Sequence, residues 1–453
     1  MKDPQRETWK SRLGFIWAAV GSAVGFGSIW RFPYILGENG GGSFLVLYLL
    51  CLALVGFPIL VAEITLGRKV KLAPPSVFYT LGKNKTWRFF GGMSVVTGLL
   101  VSCFYAVIGG WVLAYFIKAV FAHLSSYTTQ SLAKLAFTSF SQSAYLSIFA
   151  LAGFLFLCFL ILVTGVRSGI ERCSKIVMPV LFFVLLLLAI FGICQPGGFK
   201  GLSFMFDVNL SKITPVVLLT AMGQAFFSLS LGQGTMLTYG SYLSEKDNIP
   251  STCLPITFFG TIVSILAGMA IFPMVFSANL EPTAGPSLMF QTMPLIFASM
   301  PLVGYVVGVL FFLLLLIAGA TSQISAMEPL ICYLVDKRYL SRKYATVVTT
   351  GIVFVVGSIA ALSFGALSHI TLFGKDIFNL LIYVCINILI PLGGLSAALL
   401  MGWKWGIDPA LSYLAKNNEN FFKIYRFVFP FLKYTIKYLA PASIAIILID
   451  NLL

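Results

Sequence analysis

This chain of 453 residues predicts an all-α polytopic membrane protein of about eleven transmembrane helices, and three observations carry that prediction. Hydrophobic residues make up 59% of the chain and charged residues only 10%, whereas soluble domains carry about 25% charged residues. Mean hydropathy is +0.96. The apolar residues also gather into runs of the roughly 20 residues that a helix needs to cross a bilayer. A water-soluble enzyme is excluded on these grounds.

Taken in order, runs bounded by charge, Pro and Gly fall at about 12 to 38, 43 to 67, 89 to 122, 145 to 165, 171 to 194, 214 to 242, 252 to 277, 302 to 335, 345 to 366, 376 to 403 and 427 to 450. The first follows a charged start (Lys2, Asp3, Arg6, Glu7, Lys10, Arg12) with no small-residue cleavage site, so it reads as a retained span and not a cleaved signal. The net charge of +15 is spread over short loops and forms no basic patch, which argues against nucleic acid as a partner. With the N-terminus placed in the cytoplasm, all of the 30 basic residues except Arg31, Lys118, Lys134, Lys200, Lys212 and Lys375 fall on the inner side. Positive loops stay inside, so the N-terminus is expected in the cytoplasm and, after an odd number of spans, the C-terminus outside. The eight cysteines (Cys51, Cys103, Cys158, Cys173, Cys194, Cys253, Cys332, Cys385) lie in or beside apolar runs without metal-ligand spacing and read as buried thiols.

Two runs do not read as ordinary helices. The first carries Gly21-Ser22-Ala23-Val24-Gly25-Phe26-Gly27-Ser28 at mid-membrane, and the sixth carries Phe227-Ser228-Leu229-Ser230-Leu231-Gly232-Gln233-Gly234. Small residues in a span commonly serve close helix packing. These two segments also cluster hydroxyls and open successive sets of five spans, the placement expected of discontinuous helices in inverted-repeat transporters. Unwound backbone cannot stay unpaired in hydrocarbon. Its freed N–H groups suit a carboxylate, and its carbonyls and hydroxyls suit a hard cation such as sodium.

The motifs Arg6-Glu7-Thr8-Trp9, Arg12-Leu13-Gly14, Gly21 to Gly27, Trp30-Arg31-Phe32-Pro33-Tyr34 and Glu38-Asn39-Gly40-Gly41-Gly42 closely resemble the start of the neurotransmitter:sodium symporter family. Gly169-Ile170-Glu171-Arg172 with Lys175 and Pro179, Gly223-Gln224-Ala225-Phe226-Phe227, Ala318-Gly319-Ala320-Thr321-Ser322 and Pro391-Leu392-Gly393-Gly394-Leu395 extend the likeness in family order over nearly the whole chain. The resemblance implies a 5+5 inverted repeat with helices 1 and 6 broken, the first repeat over 12–194, the second over 214–403, and an extra eleventh helix at 427–450.

One sodium site is implied at the carbonyls of Gly21, Val24 and Ala318 with the hydroxyls of Thr321 and Ser322. Read alone, those two hydroxyls would bond back to helix carbonyls. A second sodium site is implied at the Ala23 carbonyl and Ser228 with the substrate carboxylate, but Ser28 and Gly260 stand where the family offers amide side chains. Tyr48, Gln224, Ser228 and Ser264 resemble the chloride site of animal members.

For the substrate, the resemblance gives a pocket of Ser22, Ala23, Gly25, Phe26, Gly27, Val101, Tyr105, Phe227, Ser228, Ser230, Gln233, Ser322 and Ala326. Gly25 replaces the aspartate of monoamine carriers, which favours an amino-acid carboxylate. Ala326 and Gln233 stand where a branched aliphatic and an aromatic are usual, so a larger, more polar pocket and a bulky or aromatic neutral amino acid are expected. Tyr105 and Phe227 would lid it.

Arg6 and Asp336 match an inner ion-pair gate plugged by Trp9 and Tyr242. Arg31 matches the outer gate, but its usual aspartate partner is Ile382, leaving Asp376, Asn379, water or backbone as partners. Intramembrane acids are functional by default. Glu63 is assigned to the N–H groups of the unwound first helix and Glu328 to the inner hydrogen-bond network.

The expected activity is sodium-coupled symport of an amino acid across the cytoplasmic (inner) membrane by alternating access, with no bond chemistry. His123 and His369 sit near loop ends and leave a membrane enzyme without a catalytic cluster. Departures at Ser28, Gly260 and Ile382 motivate the competing reading of an amino-acid sensor or uncoupled conduit. No feature of the sequence sets an oligomeric state.

Overall fold

Apolar side chains face lipid or one another along almost every helix, and the backbone satisfies itself within each helix, as hydrocarbon demands. The computed structural model describes residues 7–280, 288–300, 302–416 and 426–452. Among these, nine helices are long and apolar enough to span a membrane: Gly42–Val70, Lys85–Val120, Ala144–Leu162, Val166–Ile193, Ile249–Ser277, Val303–Asp336, Arg342–Leu362, Ile377–Lys404 and Val428–Asp450. They are the second to fifth and seventh to eleventh expected spans, most of their ends lying within a few residues of the predicted ones. The first span is the pair Arg12–Ala23 and Gly27–Glu38, bent by 46°. The sixth is two short pieces, Pro215–Ser228 and Thr235–Ser241, neither long enough to cross alone.

Local chemistry explains both breaks. Ser11 caps the first helix by accepting the Gly14 N–H, and the helix stops at Val24 (φ −90°, ψ 70°) before resuming as a wide turn at Gly27. In the sixth span Thr214 caps the first piece and Pro215 occupies its first turn. The chain then takes positive φ at Ser230 (54°), Gly232 (74°) and Gly234 (76°), which no continuous helix accommodates. A Cβ on Gly232 would land on the Ile390 carbonyl, so the break lies directly against the tenth span.

Packing relations recur between the two sets of five. The first span packs on the seventh and the sixth on the second; the third packs on the fourth and the eighth on the ninth; the fifth packs on the seventh and the tenth on the second. The third and eighth spans lie against each other along much of their length. Between them run the two breaks, buried at the centre of the bundle. Short helices cover the loops, and a two-residue hairpin pairs Thr371 with Asp376 ahead of the tenth span.

The eight cysteines are unpaired, and Cys194 is exposed, contrary to the expectation of a buried thiol, because it ends the fifth helix where the chain turns out of the bundle.

Candidate functional site

Hydroxyl–carbonyl bonds tie the two broken helices and the eighth span into one unit. Ser322 Oγ donates to the carbonyls of Gly21 (3.3 Å) and Ser22 (2.8 Å). Ser230 Oγ donates to Ser22 O (2.9 Å), and Ser22 Oγ donates to Ser230 Oγ (3.1 Å). Thr321 Oγ1 lies 3.0 Å from Ala318 O and 3.2 Å from Ile317 O, the back-bonding that a lone helix hydroxyl prefers. A Cβ on Gly21 would sit 3.3 Å from Thr321 Cβ, so the broken turn and the Thr321-Ser322 step are in contact. Of the expected sodium oxygens, Ser322 Oγ bonds Gly21 O and Ala318 O faces Gly25, whereas Thr321 turns its Cβ and methyl toward Gly21 and its Oγ1 back to its own helix; Val24 ends the first helix piece.

Space at this junction is tight. A Cβ added to Gly25 would strike Ser322 Oγ, and one on Gly27 would come 2.9 Å from the Phe227 ring. Above it, Tyr105 packs on Phe26 (5.2 Å between centroids) and Phe227 (6.0 Å), and its hydroxyl meets the Gly27 backbone. Val101 is buried one turn before Tyr105 on the third span. Gly98 packs between the carbonyls of Gln233 and Ala326, its Cβ position 2.7 and 3.0 Å from them. Polar side chains without charge line the centre: Ser22, Ser228, Ser230, Gln233 and Ser322 are all buried.

Other sequence assignments are redistributed. Ser28, expected to ligate a second sodium ion, donates its hydroxyl to Ala23 O at 2.9 Å and so occupies the carbonyl it was to share. Gly260 does face Ala23, their Cβ positions 3.7 Å apart, and offers no oxygen from a side chain. Tyr48 Oη and Ser228 Oγ are 3.0 Å apart, Ser264 adjoins the same hydroxyl, and Ser264 Oγ donates to Gly260 O (3.1 Å). Gln224 is drawn off from that group: its Nε2 donates to Gly27 O (2.8 Å) and its Oε1 accepts from Arg31.

Arg31 is therefore partnered by Gln224, an acceptor outside the alternatives the sequence offered, and its guanidinium also stacks 5.4 Å above the Phe227 ring. Asp376 instead caps the tenth span through Asn379 (2.8 and 2.6 Å). Arg31 and Ile382 line a cavity of about 400 Å³ walled mainly by Trp30, Tyr34, Phe104 and Trp111.

Glu63 requires a correction. Its Oε1 accepts the Gly232 N–H at 2.7 Å, so it serves the unwound sixth helix and not the first. The second span packs along the Thr235–Ser241 half, and positive φ at Gly232 turns that N–H out of any helical ladder.

The opposite end is closed by a polar lattice. Trp9 Nε1 donates to Tyr239 O (3.0 Å), and the indole packs edge-on against Tyr239 and Tyr242. Tyr242 Oη donates to Glu328 (2.8 Å), which also accepts both arms of Arg342 (2.9 and 2.8 Å). Glu328 thus holds the network role expected of it. Arg342 was read from the sequence only as an orienting charge. The missed signal was Glu328 itself, since a carboxylate inside the membrane needs a cation. Glu7 reaches Arg342 (3.3 Å) and the Val166 N–H (2.7 Å), while Glu171 accepts from Lys10 N (2.7 Å), Ser11 and Lys175. Arg6 lies outside the described residues, so its pairing with Asp336 is not part of this geometry. Asp336 Oδ2 accepts the Ala73 N–H at 2.6 Å.

Comparison with known proteins agrees with this arrangement. Residues 6–134 and 126–453 match the sodium:neurotransmitter symporter family. The chain is 35% identical to an uncharacterized sodium-dependent transporter of Haemophilus influenzae, over 99% of this chain and 98% of that one. It is 34% identical to the uncharacterized sodium-dependent transporter YhdH of Bacillus subtilis, with the same coverage of 99% and 98%. A crystal structure of MhsT in complex with L-phenylalanine superposes with a TM-score of 0.90 at 38% identity, covering 98% of this chain and all of that one.

Proposed function

The chain belongs to the sodium:neurotransmitter symporter family and is a sodium-dependent membrane transporter, and from that premise we propose that it imports a neutral, bulky or aromatic amino acid with sodium by alternating access. One observation carries the reading: Ser322 Oγ on the Gly21 and Ser22 carbonyls brings the first and eighth spans together through oxygens alone. A hard cation placed there, among Gly21, Val24, Ala318, Thr321 and Ser322, takes oxygen ligands from both spans and fastens one to the other. Gly25 carries no side chain beside the freed backbone N–H groups that suit a substrate carboxylate, and Ser322 Oγ packs directly against it. The amino-acid class draws support from L-phenylalanine in MhsT.

In this reading the lattice of Trp9, Tyr242, Glu328 and Arg342 is the closed inner gate, on the cytoplasmic side of the inner membrane, and Arg31 with Gln224 borders the outer approach. Loss of sodium to the cytoplasm separates the first and eighth spans and releases the lattice, with Arg6 and Asp336 as a further pair. No bond is made or broken in the substrate.

The engagement of Ser28 with Ala23 O favours one sodium ion over two. Tyr48, Ser228 and Ser264 form the chloride candidate, and replacing chloride with gluconate is expected to lower uptake; unchanged uptake rejects it. A sensor or uncoupled conduit is the second reading, favoured by the same Ser28 engagement.

The test is uptake of labelled amino acids into proteoliposomes with and without an inward sodium gradient. Accumulation only with the gradient is expected. Equilibration without it rejects symport, and binding without uptake favours the sensor.

A further inference from the structure

Two buried side-chain amides, Gln233 in the broken sixth span and Gln323 in the eighth, carry polar atoms with no partner among the described residues. Gln233 is 6% exposed and its Oε1 has no hydrogen-bond partner; Gln323 is fully buried and both its Oε1 and Nε2 lack one. Buried polar groups are nearly always paired. An unpaired amide in the interior opposes folding unless something completes it, so such an atom beside a binding space points to the ligand.

Both residues are placed by close backbone contacts. Gln233 lies in the broken sixth span, its carbonyl 2.7 Å from where a Gly98 Cβ would be, next to Ala326 O at 3.0 Å. Gln323 is four residues after Gly319, whose Cβ would run into the Phe26 ring, and three before Ala326. Residues three and four apart share a helix face, so Gln323 belongs to the face that meets Phe26 and Gly98. Phe26 in turn supports Tyr105, the proposed lid. The two amides therefore belong to the parts of the sixth and eighth spans that meet at Gly98 and Phe26, beside the Gly21, Gly25 and Ser322 junction.

From this we infer that the substrate's side chain ends in a group that both donates and accepts hydrogen bonds, a phenol or a carboxamide, held between Gln233 and Gln323. The inference rests on the amino-acid reading above and narrows it. A carboxamide gives one N–H to each of Gln233 Oε1 and Gln323 Oε1 and accepts from Gln323 Nε2; a phenol gives its one O–H to one of the two oxygens and accepts from Nε2. An apolar side chain of the same size leaves three amide atoms unpaired when bound. A site with buried hydrogen-bonding groups discriminates strongly against an analogue lacking the partner, by far more than a missing methylene costs.

The experiment is sodium-dependent binding to the purified full-length protein of two matched pairs, L-tyrosine against L-phenylalanine and L-glutamine against L-methionine. The polar member is expected to bind at least about tenfold more tightly in one pair or both. Gln233→Met and Gln323→Met are expected to bring that preference toward unity, with monodisperse elution on size-exclusion chromatography reporting that the variants are folded. Equal or tighter binding of the apolar member in both pairs overturns the inference and leaves the amino-acid reading standing. Persistence of the tenfold preference in both variants also overturns it. Absence of sodium-dependent binding by all four compounds overturns the amino-acid reading, and the inference with it.

Discussion

Replacing Arg342 with methionine should cost more than replacing Arg342 and Glu328 together. The Glu328 side chain is 0% exposed and that of Arg342 15%, with two bonds of 2.9 and 2.8 Å between them. Arg342→Met strands the carboxylate inside the bundle, where among the described residues the Tyr242 hydroxyl at 2.8 Å is its remaining side-chain donor. Breaking a buried pair on one side costs about 3–5 kcal/mol. Arg342→Met with Glu328→Gln removes the stranded charge and keeps an acceptor for Tyr242, so it should cost only about 1 kcal/mol, the scale of one neutral hydrogen bond. The coupling between the two sites is then roughly 2–4 kcal/mol. Melting of the purified protein followed by size-exclusion chromatography gives the order: unmutated, double, single. Cys332, one turn beyond Glu328 and 2% exposed, is a native reporter of the same gate. Its alkylation rate, read peptide by peptide, should rise in the single variant and fall back in the double. A double variant less stable than the single, or a single variant as stable and as unreactive as the unmutated chain, refutes the argument that this pair closes that end.

Ser322→Ala and Thr321→Ala should each raise the sodium concentration for half-maximal uptake by about tenfold, the equivalent of one lost oxygen ligand at about 1.4 kcal/mol; unchanged sodium dependence in both rejects the junction as an ion site. Gly25→Ala places a methyl on Ser322 Oγ, so sodium-dependent binding should be lost while the protein still purifies as a monodisperse species. Retained binding would mean that the eighth span yields there easily. Gln224→Leu leaves Arg31 over the Phe227 ring without its amide acceptor and should reduce uptake at least tenfold; an unaltered rate removes Gln224 from the outer approach. Lys71 at 2.9 Å holds the exposed Glu245 carboxyl below the usual carboxylate range. Any stability it adds is present above that range and is lost only as pH falls through the lowered value. Glu245→Gln should consequently leave the uptake profile between pH 6 and 8 unchanged, as expected of a surface pair, and a shifted profile would overturn that.

Much of this molecule could be read from residue order because lipid imposes simple rules. Span lengths follow bilayer thickness, and the two breaks announced themselves through runs such as Gly21 to Ser28, where hydroxyls and glycines interrupt an otherwise apolar helix. Partnerships between distant side chains were less legible. Glu63 has no sequence mark that distinguishes Gly232 from the first helix as its target; that is decided by its place in the stretch of the second span, Phe57–Val70, that packs along Thr235–Ser241. The family pattern points Arg31 to an acid on the tenth span, yet it donates to the amide oxygen of Gln224, 193 residues away, because a guanidinium donates to any well-placed oxygen. Gln323, next to the Thr321-Ser322 pair, carries no mark in the sequence, since a helical glutamine is distinguished only by surroundings that leave its amide unpaired.

The hydroxyl of Ser322 has one further consequence. Its proton is already committed to the Gly21 and Ser22 carbonyls, so at the proposed site a sodium ion reaching Gly21 O would compete with an internal hydrogen bond. The hydroxyl oxygen keeps its lone pairs for the ion while its proton gives up the Gly21 carbonyl, and the energy of that displaced bond would be subtracted from the ion's affinity. The same subtraction works in reverse on departure, when the proton swings back and the oxygens need no water to follow the ion out. A carrier has to release its ion every cycle, and a ligand that can satisfy its own neighbours sets an upper limit on how tightly that ion is ever held.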